Sequence, residues 1–130
     1  MKPKTKTELI FESKSPYSNP YQGNDERVLF VCSAGILRSA TAARIYAQKY
    51  NTRAAGSKPY ALIPVTQELV LWADRIVFVN EENRWDVAKK FDLDDLASKG
   101  TIIQVLNIPD DYDHMHPRLI QHFKEEYEDF

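Results

Sequence analysis

Cys32 is the only cysteine of the 130-residue chain, and Arg38 follows it after five intervening residues. An apolar run, Val28–Cys32, ends at the cysteine and Gly35 interrupts the segment beyond it, so the pattern predicts a strand, a turn and then a helix. The start of a helix offers unpaired N–H groups and the positive end of the helix dipole, and both stabilise an oxyanion or a thiolate. This arrangement suits a thiolate that attacks phosphate. The alternative is a structural cysteine that packs as a small hydrophobic residue.

The loop between Cys32 and Arg38 is predicted to curl into a cup whose backbone N–H groups bind three phosphate oxygens. The phosphate-binding positions are Ser33, Ala34, Gly35, Ile36, Leu37 and Arg38. A tight cup requires a residue with positive φ, which glycine adopts without steric cost. The planar guanidinium of the arginine grips two phosphate oxygens at once. Ser39, and with it Ser33, can donate a hydrogen bond to the cysteine sulfur and so stabilise the thiolate.

A phosphate ester also needs a proton donor for its leaving oxygen, which requires a carboxylic acid on another loop. Asp110 and Asp111 are the candidates, with Asp113 a distant third. The same carboxylate, once deprotonated, activates the water that hydrolyses the cysteinyl phosphate. These acids and the nearby histidines follow no defined zinc spacing, so we expect no metal. Tyr60 is a candidate aromatic wall for a phenyl ring, with a plain surface tyrosine as the alternative.

The composition predicts one compact domain, since 130 residues with 43% hydrophobic content suffice for one buried core. A net charge of -2 gives no overall attraction to nucleic acid or to an anionic membrane, so neither is an expected partner. A solitary cysteine forms no internal disulfide. The polar start of the chain also lacks the apolar region of a secretion signal. Both observations favour the cytoplasm as the compartment. The oligomeric state stays open.

Strands and helices are predicted to alternate from residue 27 onward. The strand candidates are Val28–Cys32, Thr52–Ala55, Arg75–Val79 and Thr101–Leu106. The helix candidates run from Ser39 to Tyr50, from Pro64 through Trp72, from a cap at Asn80 to Lys90, and from Pro117 onward. Apolar strands in this alternation indicate a parallel sheet covered on both faces. Ligands bind such sheets beyond the carboxyl ends of the strands, where Cys32 lies.

The two ends of the chain are predicted to differ. Residues 1–26 are expected to form a flexible N-terminal extension ahead of a phosphatase-like α/β domain at 27–130, since prolines and polar residues dominate the extension. The alternative is a docking arm, in which Tyr17 and Tyr21 fold over a neighbouring site. The last helix is predicted to bury Leu119, Phe123 and Tyr127, which share one helical face.

Residues 28–42, with the sequence VLFVCSAGILRSATA, resemble the phosphate loop and first helix of the low-molecular-weight protein tyrosine phosphatases. The likeness continues through residues 54–57, 71–79 and 108–112, and it covers nearly all of residues 27–130. The resemblance implies a three-layer αβα fold with a doubly wound four-stranded parallel sheet, strand order 2-1-3-4 and flavodoxin-like topology. It also implies a cysteinyl-phosphate intermediate, with no metal or organic cofactor.

The acid segment carries the same resemblance. Asp110, Asp111 and Tyr112 are similar to the family's Asp-Pro-aromatic segment, with Asp111 in place of the proline. The resemblance implies that Asp110 donates the proton and that Tyr112 lies on the cleft wall. Asp111 is the alternative donor, and it is less favoured because two adjacent side chains point in different directions.

The phosphate-binding loop departs from the family pattern, which commonly reads Cys-x-Gly-Asn-x-Cys-Arg-Ser. This chain has Ala34 in place of the glycine, Gly35 in place of the asparagine and Leu37 in place of the second cysteine. Gly35 keeps the backbone shape without the asparagine's bracing hydrogen bonds, which predicts a softer loop and a lower rate. Leu37 removes the family's disulfide partner and any resolving thiol.

The leading hypothesis is a phosphatase that hydrolyses phosphotyrosine in proteins or a small aryl phosphate, through attack by Cys32, clamping by Arg38 and proton transfer by Asp110. Its partner is then a phosphorylated protein or a small phosphate ester. The first alternative is an arsenate reductase that uses an external thiol, since the same cup fits arsenate. The second is a phosphate-binding or phosphotyrosine-binding regulatory module that has lost turnover through its altered loop.

Overall fold

The computed structural model describes residues 26–127, so the predicted extension lies outside the described residues except for Glu26. The docking role of Tyr17 and Tyr21 therefore stays a prediction. Glu26 belongs to the folded part, since its carbonyl accepts the N–H of Asn51 at 2.9 Å and its carboxylate lies 3.1 Å from the guanidinium of Arg75. These contacts tie the start of the described chain to the sheet.

Four parallel strands form one sheet in the described part of the chain. In chain order they are β1 at Arg27–Cys32, β2 at Asn51–Gly56, β3 at Arg75–Phe78 and β4 at Ile102–Val105. The order across the sheet is β2-β1-β3-β4, and every neighbouring pair is parallel. This order confirms the expected doubly wound sheet, since the chain starts in the middle and adds strands first on one side and then on the other. Each strand boundary lies within one residue of its predicted position.

Five helices accompany the strands in residues 26–127. They are α1 at Arg38–Ile45, α2 at Gln67–Trp72, α3 at Glu81–Ala88, α4 at Leu93–Ser98 and α5 at Pro117–Glu126. Successive side chains of β1 face opposite layers, because Phe30 packs with α1 and α5 whereas Leu29 packs with α2, α3 and α4. The domain therefore has three layers, αβα, as expected. None of these helices has the length and apolarity needed to cross a membrane.

The first two helices are shorter than predicted. α1 ends at its eighth residue instead of continuing to Tyr50, because the backbone leaves helical geometry there and turns. α2 begins three residues after Pro64, since the Thr66 side chain accepts the N–H of Leu69 and caps the helix. Pro64 instead pairs with Gly56 in an isolated parallel bridge, which holds this segment against the end of β2.

A short helix that the sequence pattern did not reveal follows α3. α3 ends at Ala88, close to the predicted end at Lys90. α4 then begins after Asp92, whose side chain accepts the N–H of Asp95 and caps the helix. With only six residues, α4 is too short to produce a recognisable helical period.

β2 departs from the prediction of fully apolar strands. Asn51, Thr52 and Arg53 are all buried, and Arg53 is 1% exposed. The Arg53 guanidinium donates to Asn51 Oδ1 at 3.0 Å and to the Thr52 carbonyl at 2.8 Å, and it lies 5.2 Å from the ring centroid of Trp72. These contacts compensate a charge whose burial is otherwise costly.

The loops that follow the strands meet at one edge of the sheet. The N–H of Ser57 donates to the Cys32 carbonyl at 2.8 Å, and the N–H of Ile108 donates to the Val79 carbonyl at 3.0 Å. The loops after β1, β2, β3 and β4 are thereby held side by side at the carboxyl ends of the strands. Cys32, the last residue of β1, lies at this edge.

Candidate active site

Two groups contact the sulfur of Cys32 at the start of the phosphate loop (residues 33–37). Ser39 Oγ, in the first turn of α1, lies 3.0 Å from Sγ, and the N–H of Gly35 donates to Sγ at 3.2 Å. If Cys32 is ionised, the serine hydroxyl must be the donor, because a thiolate only accepts. Both contacts then stabilise the thiolate. Cys32 as a whole residue is 2% exposed and packs in the core layer with Phe30.

The backbone requires glycine at position 35. Gly35 has a φ of 85°, in the region that glycine enters without steric cost, as the sequence predicted. A Cβ there would lie 2.8 Å from the Gly56 nitrogen, 2.9 Å from the Ala55 carbonyl carbon and 3.0 Å from the Ile63 oxygen. All three are backbone atoms, which cannot swing aside as the end of a side chain does. The phosphate loop therefore packs directly on the end of β2.

Several N–H groups of the phosphate loop remain available to a ligand. In residues 26–127, no backbone or side-chain acceptor takes the N–H of Ala34, Ile36 or Leu37. α1 also begins without a side-chain cap at Leu37, so the N–H groups of its first turn stay open. Open N–H groups at a helix start are typical of phosphate sites. The phosphate-binding role of these positions nevertheless stays a prediction.

Arg38 joins the phosphate loop to the loop after β4. The residue is 3% exposed. Its Nη2 donates to Ser33 Oγ at 3.3 Å, its Nη1 donates to the Ile108 carbonyl at 3.2 Å, and its Nε lies 3.4 Å from Asp110 Oδ1. A phosphate that binds the guanidinium fork therefore competes with the Asp110 carboxylate.

The acid loop (residues 106–116) brings Asp110 to this site and leaves Asp111 outside it. The Asp110 side chain is 66% exposed and pairs with Arg38. Asp111 is exposed and has no bonding partner within the described part of the chain. Asp113 contributes its backbone carbonyl to a turn, where it accepts the N–H of His116 at 3.1 Å. Asp110 is thus the candidate carboxylate that contacts the phosphate-binding residues.

The two aromatic candidates lie in different surroundings. Tyr112 is half-buried against the core layer that contains Cys32. Its ring centroid lies 4.9 Å from that of His116 and 5.6 Å from that of His122. Tyr60 is 68% exposed, in the loop after β2. The Tyr112 ring is therefore held by neighbours and the Tyr60 ring faces solvent, and the role of either as a wall for a phenyl ring stays a prediction.

Three polar side chains behind the phosphate loop were not predicted from the sequence. Asn83, on α3, is 1% exposed and donates from Nδ2 to Ser33 Oγ at 3.3 Å and to Ser57 Oγ at 3.0 Å. Ser57 Oγ in turn lies 2.9 Å from Asp86 Oδ2. The sequence signal for this group is weak: Asn83 shares the buried face of α3 with Val87, four residues further on.

Two side-chain contacts differ from those predicted. Ser33, a candidate donor to the sulfur, instead accepts hydrogen bonds from Arg38 and Asn83. Asn80 begins α3 without a side-chain cap, and its Nδ2 donates to the Ile108 carbonyl at 3.0 Å. In both cases a segment that is distant in the sequence supplies the partner, and local spacing does not reveal it.

Asp86 and Lys58 form an ion pair beside these polar side chains. Lys58 Nζ lies 3.0 Å from Asp86 Oδ2 and also contacts the Glu82 carboxylate. Burial opposes ionisation of Asp86, but hydrogen bonds from Lys58 and Ser57 outweigh it and lower the pKa of the carboxyl. Hydrogen bonds to Glu82 and Asp86 raise the pKa of Lys58. Asp86 is therefore a carboxylate and Lys58 an ammonium at neutral pH.

A small surface pocket adjoins this ion pair. Its lining includes Gly56, Ser57, Lys58, Pro64, Asp86 and Phe91. Neither Cys32 nor any residue of the phosphate loop lines it, so the pocket neighbours the candidate site through Ser57 and does not open onto the sulfur. In residues 26–127, no three His, Cys, Asp or Glu side chains are grouped so that they could hold a metal ion.

The described site belongs to a doubly wound α/β domain in which a cysteine, an arginine and an aspartate gather at the carboxyl ends of the strands. Comparison of the chain with protein-family models, with curated proteins and with solved structures finds no match. The resemblance to the low-molecular-weight protein tyrosine phosphatases stays a prediction from the sequence motifs.

Proposed function

We propose that the protein is a phosphatase that hydrolyses phosphotyrosine or small aryl phosphate monoesters through a cysteinyl-phosphate intermediate. The observation that carries this proposal is the pair of contacts on Cys32 Sγ, from Ser39 Oγ and from the N–H of Gly35. A structural cysteine needs no donors at its sulfur, whereas a thiolate nucleophile is stabilised by them. The proposal includes the cytoplasm as the compartment and a phosphorylated protein or a small phosphate ester as the partner.

Substrate binding begins with an exchange of partners at Arg38. Without substrate, the guanidinium pairs with Asp110 and donates to the Ile108 carbonyl. A phosphoryl dianion offers two oxygens to the planar fork and takes the place of the carboxylate. The open N–H groups of the phosphate loop hold the remaining charge. The same exchange releases Asp110 next to the bound phosphoryl group.

The chemical steps follow from this arrangement. Asp110, released from Arg38, first takes up a proton from solvent. The Cys32 thiolate then attacks phosphorus, an S–P bond forms, the P–O bond to the aryl group breaks, and the leaving oxygen takes the proton of Asp110. Water then attacks the phosphorus of the cysteinyl phosphate while the Asp110 carboxylate accepts its proton. The S–P bond breaks, inorganic phosphate leaves, and Ser39 donates a hydrogen bond to the returning thiolate.

A phosphate-binding or phosphotyrosine-binding module without turnover is a second candidate. It is favoured by the burial of Cys32 to 2% exposure and by an Arg38 in which each guanidinium nitrogen already has one partner. In such a module the anion binds to the guanidinium and to the open N–H groups, and no S–P bond forms. No contact in the described residues favours arsenate reduction with an external thiol over these two candidates.

Cys32→Ser tests the proposal. The parent protein is expected to hydrolyse p-nitrophenyl phosphate without added metal and to be inhibited by vanadate. The variant is expected to fall to the background rate, because a serine hydroxyl is a far weaker nucleophile than a thiolate. It should still bind tungstate, measured by calorimetry, since the phosphate loop is unchanged. Ser98→Ala, on α4 and away from the site, is the control and should keep the parent rate.

Hydrolysis retained by Cys32→Ser would contradict the proposal. Rapid-quench labelling of the parent protein separates the two candidates, because only the phosphatase forms a phosphorylated cysteine. Tight binding of tungstate without a labelled cysteine would select the binding module instead.

A further inference from the structure

Asn83 is a buried amide that contacts the phosphate loop from the neighbouring helix α3. It is 1% exposed and lies on the same face of α3 as the buried Val87. Its Nδ2 lies 3.0 Å from Ser57 Oγ and 3.3 Å from Ser33 Oγ, so each proton of the amide nitrogen has an acceptor. A buried polar group costs free energy unless it is bonded. These two bonds compensate the burial of the amide nitrogen, whereas Oδ1 is buried with no hydrogen-bond partner among the described residues. Asn83 thus joins the loop after β2 to the loop after β1.

The carboxylate of Asp86 sets the direction of these hydrogen bonds. Asp86 Oδ2 lies 2.9 Å from Ser57 Oγ, and an ionised carboxylate only accepts, so the Ser57 hydroxyl donates to it. The Ser57 oxygen is then an acceptor, and Asn83 must turn its N–H groups toward it. The amide orientation therefore follows from its chemical neighbours, although heavy-atom positions alone leave it open.

The hydroxyl of Ser33 keeps one hydrogen to donate. Its oxygen accepts from Asn83 Nδ2 at 3.3 Å and from Arg38 Nη2 at 3.3 Å, which occupies both acceptor sites of a hydroxyl. No group in residues 26–127 accepts the remaining proton. Two donors on one hydroxyl polarise it and strengthen the bond that it gives. One of these donors is the guanidinium that grips the phosphoryl group in the proposed reaction.

We propose that Asn83 is a positioning residue of the phosphate loop, which holds the Ser33 hydroxyl so that it donates a hydrogen bond to an oxygen of the bound phosphoryl group. This inference rests on the proposed function, because it names a further donor to the same anion. Asn83 does not touch the substrate, and its effect passes through Ser33.

A double-mutant cycle on Asn83 and Ser33 tests the inference. Asn83→Ala and Ser33→Ala are each expected to weaken tungstate binding, measured by calorimetry, about tenfold or more, which is typical of one hydrogen bond to a charged group. The KM for p-nitrophenyl phosphate is expected to rise by a similar factor. The double variant should bind tungstate no more weakly than Ser33→Ala alone, because Asn83 acts through that hydroxyl.

A purely structural role for Asn83 gives a different result. Asn83→Ala then lowers the thermal stability but leaves the tungstate affinity and the KM at their parent values, which overturns the inference. Asn83→Leu fills more of the volume and replaces the alanine variant in the cycle if that variant does not fold. Parent-like tungstate affinity in Ser33→Ala overturns the inference on its own. Gln67→Ala removes an exposed amide at the start of α2 and should match the parent in affinity and KM.

The experiments can contradict the inference without contradicting the proposed function, and the reverse. If the parent protein binds tungstate but hydrolyses nothing, the proposed function fails and the affinities of the variants still decide the inference. If the parent hydrolyses p-nitrophenyl phosphate and the Asn83 and Ser33 variants bind tungstate as it does, the inference fails alone. A parent protein that neither binds tungstate nor hydrolyses the ester overturns both.

Discussion

The phosphate loop and the acid loop contribute to one site but are held in different ways. The phosphate loop packs backbone against backbone, and Gly35 leaves no room for a Cβ. The acid loop begins with backbone bonds, from the Leu106 N–H to the Phe78 carbonyl and from the Ile108 N–H to the Val79 carbonyl. The part that carries Asp110 is attached through side chains, because Arg38 and Asn80 donate to the Ile108 carbonyl and Arg38 pairs with Asp110. Backbone packing thus fixes the phosphate loop, whereas side-chain contacts attach the part of the acid loop that carries Asp110.

This difference matches the two chemical tasks of the proposed phosphatase reaction, anion binding and proton transfer. An anion site works best when its donors are already in place, because no reorganisation is then needed as charge develops. A proton donor acts first as an acid, and the carboxylate that this step leaves acts as the base of the next step. Because the Asp110 side chain is 66% exposed, it can also exchange protons with water between turnovers. Arg38 contacts both loops, so substrate that binds at the phosphate loop also changes the surroundings of Asp110.

Gly35→Ala tests the rigidity of the phosphate loop, and we expect the largest effect there. The added Cβ would meet three backbone atoms at 2.8, 2.9 and 3.0 Å, at a residue with a φ of 85°. Left-handed backbone strain and overpacking together predict a loss of about 3 kcal/mol or more in the free energy of unfolding. Turnover should fall to the background rate. Urea denaturation and hydrolysis of p-nitrophenyl phosphate measure the two effects.

Gly100→Ala is the matched control for that variant. Gly100 also has a positive φ, of 104°, but no atom lies within 4 Å of the Cβ that alanine would add. The control therefore carries only the backbone cost, of about 1 to 2 kcal/mol, and should keep the parent rate. Equal losses of stability in the two variants would mean that the phosphate loop shifts to accommodate the added Cβ. The phosphate loop would then not be more rigid than the acid loop.

Asp110→Asn tests the acid loop and is expected to have an intermediate effect. Asparagine keeps the shape of the side chain but cannot give up a proton to the leaving oxygen, so kcat should fall about a hundredfold. The fall in rate on the basic side of the pH profile should also disappear, because that fall reports deprotonation of the acid. Asp111→Asn is the matched control and should keep the rate and the pH profile of the parent. The reverse pattern in the two variants would assign the proton donor to Asp111.

Asp74→Asn tests the amino ends of the strands, away from both loops, where we expect the smallest effect. Hydrogen bonds from Arg27 lower the pKa of the Asp74 carboxyl. The pair therefore stabilises the fold above the ordinary aspartate pKa of about 4, and this stabilisation is lost as the pH falls through the lowered value. Since both side chains are 46% exposed, the variant should lose at most about 1 kcal/mol at neutral pH. Its turnover should equal that of the parent.

Denaturation of the parent and of Asp74→Asn at neutral and at acid pH measures this effect. The difference between their free energies of unfolding should shrink toward zero in acid, because the carboxyl is then protonated in both the folded and the unfolded parent. A difference that widens in acid would contradict the sign of the pKa shift. A loss of turnover in Asp74→Asn would show that the active site extends beyond the two loops.

The phosphate loop could be predicted from the sequence because its geometry is local. Cys32, Gly35, Arg38 and Ser39 lie on one strand-turn-helix connection, and such a connection restricts where each residue lies relative to the others. The positive φ of Gly35 and the approach of Ser39 to Sγ both follow from that connection. The strands could be located for a similar reason, since each is a short β-rich run bounded by turns.

Contacts between distant segments could not be predicted in this way. Arg38 and Ile108 are 70 residues apart, and Ser33 and Asn83 are 50 apart. Their meeting depends on which strands are neighbours in the sheet and on how every loop packs at its edge, so it reflects the whole core and no single stretch of sequence. The contact of Asp110 with Arg38, the bond from Asn80 to the Ile108 carbonyl and the bond from Asn83 to Ser33 are therefore known only from the tertiary structure. The preference for Asp110 over Asp111, in contrast, was already predicted from the sequence.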